Sequence, residues 1–286
     1  MTMLDRRLNA FRDDLADERL RGTVEAPRFA FGEMARIALP VADLRRAPSE
    51  DAGIDTQLLR GDAVSVFDRA GGFAWVQAAR DGYVGYVAAE TLGDAGPAPT
   101  HLVAAPRSFV YPDVDLKLPP VMALSMGSAI PVDRIEERRG TFYALLDDGG
   151  AMIAAHLRDI DEPAPDYVAV AETLLRTPYL WGGASAFGID CSGLVQLSMR
   201  MAGMSAPRDS DMQAAGLGQP IDPAESGLQR GDLVFWKGHA AILTDADTII
   251  HANGHTMDVA VEPLAATIER ISYLYGQPTG YRRPAQ

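Results

Sequence analysis

A single cysteine occurs in the 286 residues, and one thiol cannot close an internal disulfide. A fold held by disulfide bridges is excluded, and a reducing compartment is the expected setting. Long apolar runs are missing too, since no stretch approaches the roughly 18 residues that a membrane-crossing helix needs. Positive charge is scarce, with 26 Lys and Arg against 39 Asp and Glu and a net charge of −13. Nucleic acid and anionic membrane surfaces both require clustered cations, so neither is expected as a partner. The opening MTMLDRRLNAFRDDLADERLRG alternates charges with isolated Leu and Phe. It has no apolar core of roughly 7–15 residues of the kind a secretory signal carries, and a cytoplasmic protein is expected.

Apolar residues make up 47% of the chain, enough to bury a sizeable core, and the length exceeds that of one usual compact domain. Two Pro-rich stretches, GDAGPAPTHL (93–102) and DIDEPAPDY (159–167), read as linkers. They divide the chain into an N-terminal segment (1–30), two β segments (31–95 and 100–160) and a last domain (164–286). The two β segments resemble each other at a fixed offset of 66 residues: Gly61 in LLRGDAVSVFD matches Gly127 in LSMGSAIPVDR, and Tyr86 matches Met152. This spacing predicts an internal duplication. Short strands separated by Gly and Asp turns predict a small barrel in each copy: AVSVFD, FAWVQAA and GYVGYVA, then SAIPVDR, TFYALLD and AMIAAHL. The pattern resembles the bacterial SH3-like barrel, with the second copy degenerate because GYVGY is reduced to GGAMI. Taken alone, such a pair describes a binding module or scaffold.

The last domain changes character. DYVAVAETLLRT (166–177) places Val168, Ala171, Leu174 and Leu175 on one helical face, with Pro178 as the stop. After the Gly-rich YLWGGASAFG, DCSGLVQLSMRMAG predicts a second helix with Asp190 as N-cap, Cys191 as first helical residue and Gly203 as terminator. GDLVFW, HAAIL, TIIHA and MDVAVEPL follow as strands, which gives an α+β domain with the helices ahead of an antiparallel sheet.

A lone cysteine in a helix is more often a small buried apolar side chain than a nucleophile. Two placements favour the nucleophile here. Unpaired N–H groups at a helix start favour a thiolate and could also hold an oxyanion. If HAAIL and TIIH form a hairpin centred on Asp245, His239 lies directly opposite His251, so one ring can orient the other. A turn of different length would shift that register. Zinc is the rival for a Cys and His set, but HANGH lacks metal-ligand spacing and its Asn-Gly predicts a turn that carries His255 to the start of the next strand. No metal and no other cofactor are expected.

The blocks YLWGGASAFGIDCSGLVQ, PRDSDMQ, RGDLVFWKGHAAILTD and IIHAN, in this order, resemble the NlpC family of papain-like cell-wall cysteine peptidases. The resemblance implies a papain-like catalytic domain preceded by two SH3-like barrels, with Cys191 as nucleophile, His239 as base, His251 as third member and Tyr179 lining the site. Two barrels ahead of such a domain, together with PRDS, are similar to the γ-D-glutamyl-L-diamino acid endopeptidases. That similarity implies a small substrate, a murein tripeptide or like peptide, whose free L-Ala amine is held by Asp209 and Ser210, by Asp190 and Ser192 beside the nucleophile, and by Tyr83 of the first barrel. Tyr86, Glu50 and Asp55 are alternatives to Tyr83, because Gly53 stands where the family usually has a glutamate. An endopeptidase of intact peptidoglycan and a non-catalytic wall-binding protein are the competing functions. Oligomeric state is not legible.

Overall fold

The computed structural model describes residues 4–285. The ends of the expected N-terminal segment and last domain, residues 1–3 and 286, lie outside the described residues. The chain forms two compact units, Met1–Ile160 and Asp161–Gln286. The division falls in the second Pro-rich stretch. The first Pro-rich stretch does not separate compact units, and both β segments belong to one.

In the first unit, Gly and Asp turns alternate with strands whose apolar residues recur every second position, and these close into β layers. One sheet of seven strands runs in the order Ile54–Leu59, Val41–Arg45, Val84–Ala88, Phe73–Ala78, Ala63–Ala70, Glu33–Ile37, Leu92–Gly93. Three smaller sheets follow between His101 and Asp159. The duplication is visible in both cores. Ile37, Leu44, Leu58 and Val64 of the first cluster recur 66 residues later as Val103, Val110, Leu124 and Ile130 of the second. The backbone repeats as well: Gly61 N–H bonds Ile37 O and Ile37 N–H bonds Asp62 O, while Gly127 bonds Val103 and Val103 bonds Ser128 in the same way. Both glycines hold φ +84°, a conformation that side chains with a Cβ avoid.

Beyond the middle strands the offset slips by one. Ala38 N–H donates to Thr91 O and Ala104 N–H to His156 O, each at 2.8 Å, a spacing of 65 between acceptors. The counterpart of buried Met152 is therefore Val87, which lies in the first core, and not Tyr86. A one-residue slip turns a strand's side chains to the other face. Tyr86 instead packs with a cluster of Ala10, Leu15, Phe67 and Trp75. Residues 10–15 thus pack on the first barrel, with the Arg12 guanidinium 4.8 Å from the Trp75 ring and paired with Asp68. The two copies are joined directly, since Ala129 N–H donates to Arg60 O at 2.8 Å and Arg60 pairs with Asp148.

In the second unit the helix Tyr167–Thr173 starts on an N-cap from Asp166, whose Oδ1 accepts from Val168 N–H at 2.8 Å. It ends before Leu174, four residues short of the expected stop at Pro178, because Arg176 turns to φ +68°. The helix Cys191–Met201 is capped by Asp190 as expected, and Gly203 follows at φ +71°. It is buried on nearly every side. Two glycines make this possible: a Cβ on Gly193 would collide with the Gly183 carbonyl, and one on Gly183 would lie 2.5 Å from the Gly188 carbonyl. A six-stranded antiparallel sheet covers the helix, in the order Gln219–Ile221, Gly280–Arg283, Leu233–Trp236, His239–Leu243, Thr248–Asn253, Asp258–Pro263. No helix among the described residues is long and apolar enough to cross a membrane.

A Cβ on Gly61 would meet the Ala129 carbonyl of the second copy while also requiring φ +84°. Gly61→Ala is expected to destabilise the first unit by about 2 kcal/mol or more, read as a lowered midpoint in thermal unfolding followed by circular dichroism. An unchanged midpoint would mean that the joint between the copies carries no stability.

Candidate active site

The turn that presents Cys191 is built from one carboxylate and one guanidinium. Asp190 Oδ1 accepts from Gly193 N–H at 2.7 Å and from Arg208 Nη1 at 3.0 Å; Oδ2 accepts from Gly182 N–H at 3.0 Å and from Arg208 Nη2 at 2.6 Å. Arg208 also donates to Ser192 Oγ at 2.8 Å, and that hydroxyl in turn donates to Asp190. Asp190 and Ser192, expected beside the substrate amine, thus spend their polar atoms on the turn that carries Cys191. Arg208 is 1% exposed. A buried guanidinium requires such pairing, because an uncompensated charge would cost several kcal/mol.

The thiol is buried. Burial pushes it up to about 12, with the neighbouring Asp190 charge acting the same way. The amides of Ala240 and Ser192 and the Arg208 charge act in the opposite direction. The helix start thus favours the thiolate, but burial outweighs it. The Ala240 amide also places His239 near the thiol, since Ala240 directly follows His239 on a strand packed against the helix that begins with Cys191.

The histidine pair forms by a register different from the expected one. Ile242 lies opposite Ile250 and Leu243 opposite Ile249, and Thr244 N–H closes the turn on Thr248 O. The hairpin is centred on Ala246 and not on Asp245, because Asp247 N–H bonds the Asp245 side chain within a three-residue loop. Continued along the strands, this register puts Ala241 opposite His251. A shift of two positions keeps His239 on the same face as a diagonal neighbour, still within reach of a ring. His239 Nε2 and His251 Nδ1 are 2.9 Å apart.

On the other side of His251 stands Glu262. His251 pairs with Ala260 and Ile249 with Glu262, so Glu262 is again a diagonal neighbour on the same face. His251 Nε2 lies 2.6 Å from Glu262 Oε2, which also accepts from Arg270 Nη2 at 2.5 Å. The His251 hydrogen bond draws the Glu262 carboxyl below its usual range, so it is ionised and can only accept. His251 Nε2 must then carry a proton and, in the neutral ring, Nδ1 is the acceptor. His239 Nε2–H donates to it, which leaves the ring's lone pair on His239 Nδ1. Burial, then the neighbouring His251 ring and the Arg270 charge, push His239 down to about 3, so the ring rests neutral.

A cavity of about 320 Å³ opens beside the pair and includes Tyr179, Trp181, His255 and Arg270. Tyr179 lines this cavity beside the histidine pair, and its phenol is pushed up by burial and by Cys191. His255 lies in the turn Gly254–Met257, where Asn253 Oδ1 accepts from His255 N–H and Thr256 N–H, and not at the start of a strand. Asp209 precedes the helix Ser210–Gly216 without capping it through its side chain, and both Asp209 and Ser210 are half-buried. Tyr83 belongs to the other unit and is 4% exposed within the first barrel's core; Tyr86 is half-buried near Arg12.

Residues 176–274 match the NlpC/P60 family, and residues 44–92 match the bacterial dipeptidyl-peptidase SH3 domain. The chain carries an NlpC/P60 domain preceded by a bacterial SH3 domain. The gamma-D-glutamyl-L-lysine dipeptidyl-peptidase of Bacillus cereus is 28% identical over 244 residues, 74% of this chain and 71% of that relative. The enzyme of the same name from Bacillus subtilis is 28% identical over 249 residues, 79% and 81% of the two chains. The crystal structure of an NlpC/P60 family protein from Bacillus cereus superposes with a TM-score of 0.73 at 24% identity, over 88% of this chain and 99% of that one. This likeness supports the fold.

Within the NlpC/P60 domain, sequence reasoning missed Arg208, Glu262 and Arg270. Arg208 was in view inside PRDS, but nothing in a sequence tells a buried arginine from an exposed one. Glu262 could have been placed on the His251 face only with the length of the turn after Asn253 known.

Two outcomes follow for this relay. Glu262→Ala removes a charge-assisted hydrogen bond, a loss of about 1.5–3 kcal/mol. It is expected to lower kcat for peptide hydrolysis roughly 10–100-fold with a smaller change in KM, while Glu262→Gln, whose carbonyl still accepts, keeps more activity. An Ala variant with unchanged kcat would remove Glu262 from the relay. Between pH 6.5 and 3 an unfolded histidine, with its ordinary pKa of about 6.5, binds a proton that folded His239 does not. Stability is therefore lost as pH falls through this window, and His239→Gln should flatten the pH dependence of the thermal midpoint. Parallel curves for the two proteins would contradict it.

Proposed function

We propose that the protein hydrolyses the bond between γ-D-Glu and the following diamino acid in freed murein stem peptides that carry a free N-terminal L-Ala. The observation that carries this is the line His239, His251, Glu262, in which every ring nitrogen but His239 Nδ1 has its role fixed by hydrogen bonds, on a sheet whose His239 strand packs against the helix that begins with Cys191. His239 Nδ1 takes the thiol proton as Cys191 attacks the γ-carbonyl carbon. The N–H groups at the start of the nucleophile helix face the developing oxyanion. The imidazolium then gives its proton to the leaving α-amine, and water, deprotonated by the same nitrogen, releases L-Ala-D-Glu from the thioester. The activity for which the two Bacillus relatives are named supports this bond as the target.

Recognition of the amine is assigned to Asp209 and Ser210, with Asp190 and Ser192 holding the turn from behind through Arg208. A carboxylate that pairs with a desolvated ammonium discriminates strongly against the acylated amine. Peptides with a free L-Ala amine arise when stem peptides are released from glycan, and cytoplasmic recycling of such peptides is the proposed setting.

The test compares L-Ala-γ-D-Glu-L-Lys, its diaminopimelate counterpart and their N-acetylated forms, with products identified by mass. The free-amine peptides should yield L-Ala-D-Glu and the diamino acid, and acetylation should lower kcat/KM at least about 100-fold. Cys191→Ala should give no product. Similar values for free and acetylated peptides, or digestion of intact sacculi, would favour an endopeptidase of the intact wall.

A further inference from the structure

The cavity beside the histidine pair is lined by His239 and His251, whereas neither Cys191 nor the Asp190 turn faces it. It therefore lies on the side of the base. In amide hydrolysis the base returns its proton to the departing nitrogen, so the residue that leaves must sit on this side of the scissile bond.

The charge of the lining is unlike that of the chain. The protein carries 39 Asp and Glu, yet no carboxylate is among the described residues that line this cavity. The charged or ionisable nitrogen groups there are His239, His251, His255 and Arg270. Arg270 spends one Nη2–H on Glu262; this is the single hydrogen bond of its guanidinium among the described residues. A guanidinium has five N–H donors in a planar fork, and that fork matches a carboxylate. At the mouth stand Trp181, 69% exposed, and Tyr273, 80% exposed, rings against which an aliphatic chain can lie.

We propose that this cavity is the subsite of the leaving amino acid, in which Arg270 holds that residue's free α-carboxylate. The inference rests on the hydrolase function above and extends it to the length of the leaving group. A diamino acid at the end of a tripeptide offers the carboxylate. One followed by a further residue offers an amide in its place, which is neutral and cannot take both arms of the fork.

The probe is N-acetyl-L-lysine, in which the acetyl group stands for the acyl side of the scissile bond, compared with N-acetyl-L-lysinamide. Binding to the full chain is followed by tryptophan fluorescence, since Trp181 lines the cavity. The acid should bind at least about tenfold more tightly than the amide. Arg270→Gln should abolish that preference, and Arg270→Lys should restore part of it. Glu262→Gln, which disturbs the relay but keeps the guanidinium, should retain it. Equal binding of acid and amide, or a preference that persists in Arg270→Gln, would overturn the proposal. Hydrolysis of L-Ala-γ-D-Glu-L-Lys separates the two claims. Cleavage without acid preference removes the Arg270 subsite and leaves the function, whereas acid preference without cleavage leaves the subsite and removes the function.

Discussion

Arg208 and Asp190 form the contact on which the rest of the catalytic unit depends. A guanidinium in a buried position is tolerated because a carboxylate meets it with two hydrogen bonds of 2.6 and 3.0 Å. That same carboxylate caps the helix that begins with Cys191 and holds the Gly182 amide. One charge pair thus ties together the Gly-rich loop, the first turn of the helix and the PRDS segment. Replacing either partner alone would leave the other charged and buried, a loss of about 3–5 kcal/mol. The cost would fall on the segment that aims the thiol. The glycines nearby serve the same end, since Gly183 and Gly193 let two stretches of backbone approach where no Cβ fits.

The hydrogen-bonded histidine chain is arranged along a sheet rather than around a loop. His239, His251 and Glu262 come from three neighbouring strands and meet diagonally on one face. Because Glu262 can only accept, it determines which nitrogen of His251 bears hydrogen, and His251 does the same for His239. Directionality is thus transmitted by hydrogen bonding alone. Arg270 holds the far end, and its charge also helps keep His239 neutral.

Much of this was legible in the sequence because it is local. Asp190 as cap, Cys191 as first helical residue and Gly203 as terminator follow from short-range rules, and the structure agrees with each. The strands around His239 and His251 follow from alternation and turn residues. What was not legible depends on turn lengths and burial. The three-residue loop at Ala246 moved the hairpin register by two, and the pairing of the histidines survived because faces alternate with period two. The one-residue slip in the barrel repeat had no such protection, and Tyr86 gave way to Val87 as the partner of Met152. Helix length near Leu174 was decided by Arg176 adopting a left-handed conformation that no sequence pattern announces.

The joint between the two barrel copies bears on how the first unit folds. Ala129 of the second copy donates to Arg60 of the first, Asp148 pairs with Arg60, and Gly61 is shaped to receive the Ala129 backbone. A single barrel of this size closes a core too small to be robust. Stitching the copies at a main-chain hydrogen bond makes each the scaffold for the other's turn. The Pro-rich stretch between them then behaves as a covalent tether within one cooperative block, so the copies should melt together, and a chain truncated after the first would expose an unpaired carbonyl at Arg60.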